Sequence, residues 1–221
     1  MSESIQPSLA ELRWDYASET LHREDLNENP LLQFKKWFDQ ALEAEIREPN
    51  AMTISTTGED GIPNARTVLM KDYTVDGVTF FTNYESRKGK ELSKTPGASL
   101  LFYWKELERQ VQIRGKVERT SDEESDQYYY SRPYQSRIGA WASLQSIAIP
   151  DRKWLEDRVS EFEARFPDTG EPDCVPRPDF WGGYRLIPDL LEFWQGRPGR
   201  KHDRFIYRRS GEEWETTRHS P

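Results

Sequence analysis

Ala51-Met52-Thr53-Ile54-Ser55-Thr56, the punctuation Gly58-Glu59-Asp60-Gly61, and Ala65-Arg66-Thr67-Val68-Leu69-Met70-Lys71 read as two β-strands and the turn between them. β-Branched and aromatic side chains suit a pleated, half-buried surface, and glycine beside an acidic residue supplies the backbone freedom of a turn. The same pattern returns at 78–82, 99–104 and 110–118, with Asp76-Gly77 as a second turn, so the middle of the chain is predicted to be an antiparallel meander. Further strands are predicted at 184–186, 191–195, 204–208 and 214–217. The fold class expected is α+β, mainly β: an antiparallel barrel decorated by peripheral helices.

Outward from these strands the helices are marked by their caps. Asn29-Pro30 is an N-cap and N1 pair, and Leu31, Phe34, Trp37, Phe38, Ala41, Leu42 and Ile46 recur at helical spacing until Pro49. Ser86 can cap a helix over 87–94, Ser121 and Glu124 form a capping box for a helix through Tyr130, and a third runs over about 151–166. Residues 167–178, with four prolines, are read as a loop. Residues 1–28 are polar, with one helical stripe at Leu9, Leu12 and Tyr16, and are expected to form a mobile arm or lid; residues 29–221 form the single domain.

The formal charge of −8 argues against a nucleic-acid or anionic-membrane partner, so local basic clusters are read as sites. One cysteine, Cys174, and three scattered histidines leave no disulfide and little material for a zinc site, and no metal is expected. Met1-Ser2-Glu3-Ser4 opens without a basic or apolar leader, and the longest apolar run, 98–104, is too short to span a bilayer, so a soluble, cytoplasmic protein is expected. Eight tryptophans in so hydrophilic a chain suggest ring-binding surfaces or a subunit interface besides the core.

The richest chemistry lies in Glu192-Phe193-Trp194-Gln195-Gly196-Arg197-Pro198-Gly199-Arg200-Lys201-His202-Asp203-Arg204-Phe205, which crowds three arginines, a histidine and a tryptophan into one strand–turn–strand unit. Guanidinium forks, an imidazole and a flat indole together suit an anionic, flat heterocycle. No Gly-rich dinucleotide fingerprint or Walker loop is present, so side chains must hold any phosphate. Arg66, Arg87 and Lys88 can form such a cradle at a helix N-terminus, though Arg87 and Lys88 also read as solvated helix residues. Arg66 and Lys71 are five apart and should lie on opposite faces of a regular strand, unless a bulge intervenes.

With Trp181-Gly182-Gly183-Tyr184 upstream, the C-terminal unit resembles the signature of the pyridoxamine (pyridoxine) 5′-phosphate oxidases, which use FMN to make pyridoxal 5′-phosphate. The segments Arg66–71, Phe81-Thr82-Asn83, Ser86-Arg87-Lys88, Glu108-Arg109-Gln110-Val111, Tyr128-Tyr129-Tyr130-Ser131-Arg132-Pro133, Ser136-Arg137-Ile138-Gly139-Ala140-Trp141 and Ser143-Leu144-Gln145-Ser146 resemble the family's other motifs, in its order. The resemblance implies an FMN-binding split barrel. It assigns FMN contacts to Arg66, Thr67, Val68, Leu69, Met70, Lys71, Phe81, Thr82, Arg87, Lys88, Gln110, Gln145, Ser146, Trp194 and Arg204. Substrate contacts fall to Arg13, Tyr16, Lys71, Tyr128, Arg132, Ser136, Arg200 and His202, with Arg200 and His202 as catalytic residues.

The resemblance also implies a C2 homodimer with FMN at the subunit interface, oxidising pyridoxamine 5′-phosphate or pyridoxine 5′-phosphate with dioxygen and releasing hydrogen peroxide. From the residues alone, the tyrosines at 128–130 also read as helix packing, and His202 as a partner of Asp203 or a neighbouring carboxylate. The chain departs from the family pattern at Gly199, where a polar residue is common, at Lys201, where an apolar one is usual, and in its ending, Arg218-His219-Ser220-Pro221 against Arg-Leu-x-Pro. The alternatives are a split-barrel flavin reductase with another acceptor, a non-catalytic flavin or pyridoxal-phosphate carrier, and a scaffold whose aromatics serve an interface.

Overall fold

The computed structural model describes residues 15, 16 and 19–221. The expected site residue Arg13 and most of the helical stripe around Leu9 and Leu12 lie outside the described residues. Of the expected arm, residues 19–28 are seated on the sheet. Leu21 is only 3% exposed and its amide donates to Asp203 Oδ2 at 3.2 Å, while the Tyr207 hydroxyl donates to the carbonyl of Asn27 at 2.7 Å.

Helix α1 (Pro30–Glu43) begins where the Asn29 side chain accepts from the amides of Leu31 and Leu32, with proline at N1. Its buried stripe, Leu31, Phe34, Trp37 and Ala41, faces the sheet, where Phe34 meets Phe102 at 5.0 Å and Trp37 meets Phe193 edge-on at 5.2 Å. Each such buried side chain contributes roughly 1.5–3 kcal/mol of burial free energy.

Among the described residues nine antiparallel strands make one sheet: β1 (Ala51–Thr57), β2 (Pro63–Leu69), β3 (Asp72–Thr74), β4 (Gly77–Asn83), β5 (Gly97–Trp104), β6 (Arg109–Arg119), β7 (Trp181–Gln195), β8 (Asp203–Ser210) and β9 (Glu213–His219). Period-two alternation is plain in β5, whose Ala98, Leu100, Phe102 and Trp104 turn inward while Leu101 and Tyr103 face out. The order β2-β1-β5-β6-β7-β4-β3 corrects the expected simple meander: β4 leaves β5 and pairs with β7. The two ends of that path, β2 and β3, are consecutive in the chain. Between them the amides of Met70 and Lys71 donate to the carbonyls of Asn50 and Thr79, both at 2.9 Å, which closes the barrel.

The predicted strands 184–186 and 191–195 are one long β7. Its first part pairs with β4 and its last part with β8, while β6 runs along its other edge from Tyr184 to Gln195. Pro188 survives inside it because the β6–β7 register slips opposite Arg114/Gly115, a bulge where a missing N–H breaks no ladder. Gly115 is required there, since a Cβ would lie 2.0 Å from the carbonyl oxygen of Ile187.

Four more helices surround the barrel: α2 (Arg87–Lys94), α3 (Asp122–Tyr130), α4 (Tyr134–Ala142) and α5 (Arg152–Arg165). The Ser86 cap and the Ser121–Glu124 capping box form as the sequence predicts. Helix α4 has no counterpart among the predicted elements, because Pro133 opens it without a side-chain cap and Gly139 interrupts its pattern. It packs on α5 through Ile138, Ala142 and Phe162, and α3 meets the start of β7 where Tyr129 packs on Trp181. Among the described residues no helix is long and apolar enough to cross a membrane.

Candidate functional site

A cavity of about 930 Å³ opens between β2, β4, the N-terminus of α2 and the α3–α4 pair. Strand β2 contributes Arg66, Thr67, Val68 and Leu69, with Lys71 just past its end; β4 contributes Phe81, Thr82 and Asn83. Arg87 and Lys88 enter from α2, Tyr128, Arg132 and Ser136 from the α3–α4 side, and Gln145 and Ser146 from the segment after α4. Because β2 stops at Leu69, strand alternation does not carry through to Lys71. Arg66 and Lys71 therefore line one cavity, which corrects the expectation of opposite faces. Met70 is the exception in this segment: it turns into the core at 4% exposure and does not line the cavity.

The cations fall into two groups. In the first, Lys88 is 8% exposed and its Nζ donates to Thr82 Oγ1 at 2.9 Å and Gln145 Oε1 at 3.0 Å. Burial lowers its pKa to about 8; the Arg66 charge pushes the same way, and Glu91 opposes. Arg66 and Arg87 both pair with Glu91, through Nη2 to Oε2 at 3.3 Å and Nε to Oε1 at 3.0 Å.

In the second group Lys71 Nζ lies 5.9 Å from the centroid of the Tyr128 ring, and the Arg132 guanidinium lies 4.6 Å over Trp181 and 5.7 Å over Tyr129. Burial lowers the Arg132 pKa, and its Nη1 is buried with no hydrogen-bond partner among the described residues. A buried guanidinium donor without a partner is costly, so the Arg132 head carries an unmet hydrogen bond beside the cavity that the residue lines. The ring of Tyr128 stacks on Phe81 at 4.0 Å, and Phe81 stacks in turn on Trp181 at 5.7 Å.

The remaining expected residues lie on another surface. Gln110, Trp194 and Arg204 are cross-strand neighbours in one row over β6, β7 and β8, and line a second cavity of about 340 Å³. Arg204 donates from Nε to Glu192 Oε1 at 2.6 Å and from Nη1 to the carbonyl of Ser220 at 2.9 Å. Beside this row Tyr16 stands edge-on to Trp194 at 5.7 Å and to His202 at 5.6 Å.

The His202 ring accepts at Nδ1 from the Arg197 amide at 3.1 Å, so its neutral form carries the proton on Nε2. Burial and then the Arg200 charge lower its pKa, against the raising effect of Asp203. The Asp203 carboxylate instead engages Leu21, Arg197 and Arg218, so the simple His202–Asp203 pairing is not made. Arg200 is exposed at φ +60°, directly after Gly199 at φ +62°. One protomer thus carries two partial constellations, and the residues of the C-terminal unit are not brought into the main cavity.

A sequence profile described as "Pyridoxamine 5'-phosphate oxidase" matches residues 38–166, and one described as "Pyridoxine 5'-phosphate oxidase C-terminal dimerisation region" matches residues 181–221. The chain belongs to the pyridoxamine 5′-phosphate oxidase family. It is similar to the pyridoxine/pyridoxamine 5′-phosphate oxidase of Burkholderia mallei, 54% identical over 97% of this chain and 99% of that one. The protein of the same name from Cupriavidus pinatubonensis is 53% identical over 96% and 99%.

Among solved structures, PhzG from Burkholderia lata 383, in complex with tetrahydrophenazine-1-carboxylic acid, superposes with a TM-score of 0.84 at 33% identity, covering 93% of this chain and all of that one. A pyridoxamine 5′-phosphate oxidase-related, FMN-binding protein from Nostoc punctiforme shares the fold, with a TM-score of 0.66 at 17% identity over 85% and 97%. The barrel is the split barrel of this oxidoreductase family.

Two features in and beside the main cavity are not singled out by the sequence. Trp181, the platform under Arg132, stands there only as part of a motif, since nothing local says which helix will cover it. Glu91 carries a readable signal, its i,i+4 spacing from Arg87. Its other partners, Thr56, Asn64 and Arg66, are brought to it only by strand pairing.

Proposed function

We propose that this protein oxidises pyridoxamine 5′-phosphate and pyridoxine 5′-phosphate to pyridoxal 5′-phosphate, with FMN as cofactor and dioxygen as electron acceptor, releasing hydrogen peroxide. The observation that carries this reading is the pair of cation groups in one cavity, Arg66, Arg87 and Lys88 in one and Lys71 and Arg132 in the other. The cavity of about 930 Å³ that both groups line has room for two anionic groups with flat rings between them. The donor set fits FMN on this side: three cations, the Thr82 hydroxyl and the Gln145 amide suit a phosphate dianion. Bound FMN supplies the two-electron acceptor for a hydride from C4′ of the substrate and returns the electrons to dioxygen.

Lys71, Arg132, Tyr128 and Ser136, which line the other side of the cavity, hold the substrate phosphate. Binding energy spent on a phosphate remote from the reacting carbon positions that carbon. Gln110, Trp194, Arg200, His202 and Arg204 lie away from the main cavity and reach it only when a second copy lays its C-terminal row across it, so the functional unit is a C2 homodimer. The matched dimerisation region supports that reading. Arg200 contacts the substrate ring, and His202, neutral at pH 7, donates from Nε2 to its polar edge.

The test is to supply pyridoxine 5′-phosphate or unphosphorylated pyridoxine aerobically and follow oxygen uptake with aldehyde product. The phosphate ester should turn over far faster, with one peroxide per aldehyde. The PhzG complex suggests a competing reading, oxidation of a partly reduced ring that bears a carboxylate. No turnover of either B6 alcohol or of pyridoxamine 5′-phosphate, with turnover of a reduced phenazine carboxylate, would establish that reading instead.

A further inference from the structure

We propose that Glu91, which lines no part of the main cavity, is the positioning residue that sets the Arg66 and Arg87 guanidinium groups for the cofactor phosphate. The inference rests on reading Arg66, Arg87 and Lys88 as the FMN phosphate cradle.

Glu91 sits one turn beyond Arg87 on α2, and it is 8% exposed. Its carboxylate accepts from four donors: Thr56 and Arg66 at Oε2, Asn64 at 2.8 Å and Arg87 at 3.0 Å at Oε1. These donors come from β1, β2 and α2, so one carboxylate ties the three elements around the cradle. Arg66 is held twice, with Nη1 donating to Thr56 and Nη2 to Glu91. Among the described residues Arg87 donates through Nε alone, and its Nη groups are left for the main cavity, one of the two it lines. An otherwise 60%-exposed side chain is thereby given one direction.

Charge leads to the same role. Burying the carboxyl alone would raise its pKa, but the bonds from Thr56, Arg87 and Arg66 outweigh burial and hold it below the ordinary carboxylate range. Glu91 is therefore ionised at neutral pH. Three cations less this one carboxylate leave a net charge of two, the complement of a phosphate dianion, and the approach of Arg66 to Lys88 is compensated. The start of α2 can fold this tightly on the turn that follows β4 because residue 89 is glycine, where a Cβ would lie 2.1 Å from the Tyr84 carbonyl oxygen.

The test compares FMN with riboflavin, which lacks the phosphate, binding to full-length protein stripped of flavin, by fluorescence titration. Glu91→Ala should weaken FMN by about tenfold or more and leave riboflavin unchanged, because only the charge-assisted phosphate bonds lose their geometry. Glu91→Gln, which keeps one acceptor oxygen and the side-chain length, should recover part of the loss, and it carries the same comparison if the alanine variant does not fold. Equal weakening of both ligands, or none, would overturn the positioning role and leave Glu91 a structural anchor. A wild-type protein with no preference for FMN over riboflavin would remove the cradle itself, and the role of Glu91 with it.

Discussion

Arg132→Met separates function from stability most sharply. The guanidinium is largely buried, stacks on Trp181 and Tyr129, and has one donor, Nη1, with no partner among the described residues. Methionine keeps the stem's packing and loses the stacking, worth about 0.5–2 kcal/mol. It also removes an unsatisfied donor that costs about 1–3 kcal/mol. The two terms nearly offset, so the melting temperature should move by no more than about 4 °C. Toward the substrate phosphate the variant loses a charge-assisted bond of about 1.5–3 kcal/mol, a drop of roughly 10- to 150-fold in kcat/KM for pyridoxine 5′-phosphate. Steady-state kinetics and a thermal melt on the same preparation read both quantities. A melt lowered by about 10 °C with kcat/KM unchanged would refute the reasoning and make Arg132 a structural residue.

The same geometry has other consequences. FMN affinity should fall as pH rises through about 8, because the phosphate favours charged Lys88, whose pKa in the flavin-free protein is lowered to about 8 by burial. Below that pH Lys88 is already charged, and its contribution should be flat in a fluorescence titration. His202→Gln should slow flavin reduction by about 10²-fold while FMN stays bound, and in the wild type the acid limb of the rate should lie below the ordinary histidine value of about 6.5. Bound flavin lost from His202→Gln would contradict its assignment to substrate. Gly115→Ala should destabilise the fold by more than about 3 kcal/mol in chemical denaturation, since its Cβ would meet the Ile187 carbonyl at 2.0 Å.

Local signals in the sequence are reliable where the physics is local. Asn29-Pro30, Ser86 and the Ser121–Glu124 box each satisfy orphan amides within a few residues, and all three helices start there. Helix α4 lacks such a signal, and Pro188 hides the continuity of β7, because the slip that accommodates it depends on Gly115 of a distant strand. The site divides in the same way. Arg66, Arg87 and Lys88 read as one cation cluster from a strand and a helix start, whereas Thr82, on another strand, comes from the resemblance alone. By contrast, the row Gln110, Trp194, Arg204 is assembled by cross-strand register, and no spacing along the chain shows that it lies on a separate surface.

The most direct measurement mixes the flavin-loaded protein anaerobically with pyridoxine 5′-phosphate and follows the visible flavin absorbance before admitting air. Bleaching, then recovery in air with one pyridoxal 5′-phosphate per flavin, is the predicted result. A loaded protein that binds the ester and keeps its colour would contradict the oxidase and leave a carrier or a reductase of another substrate.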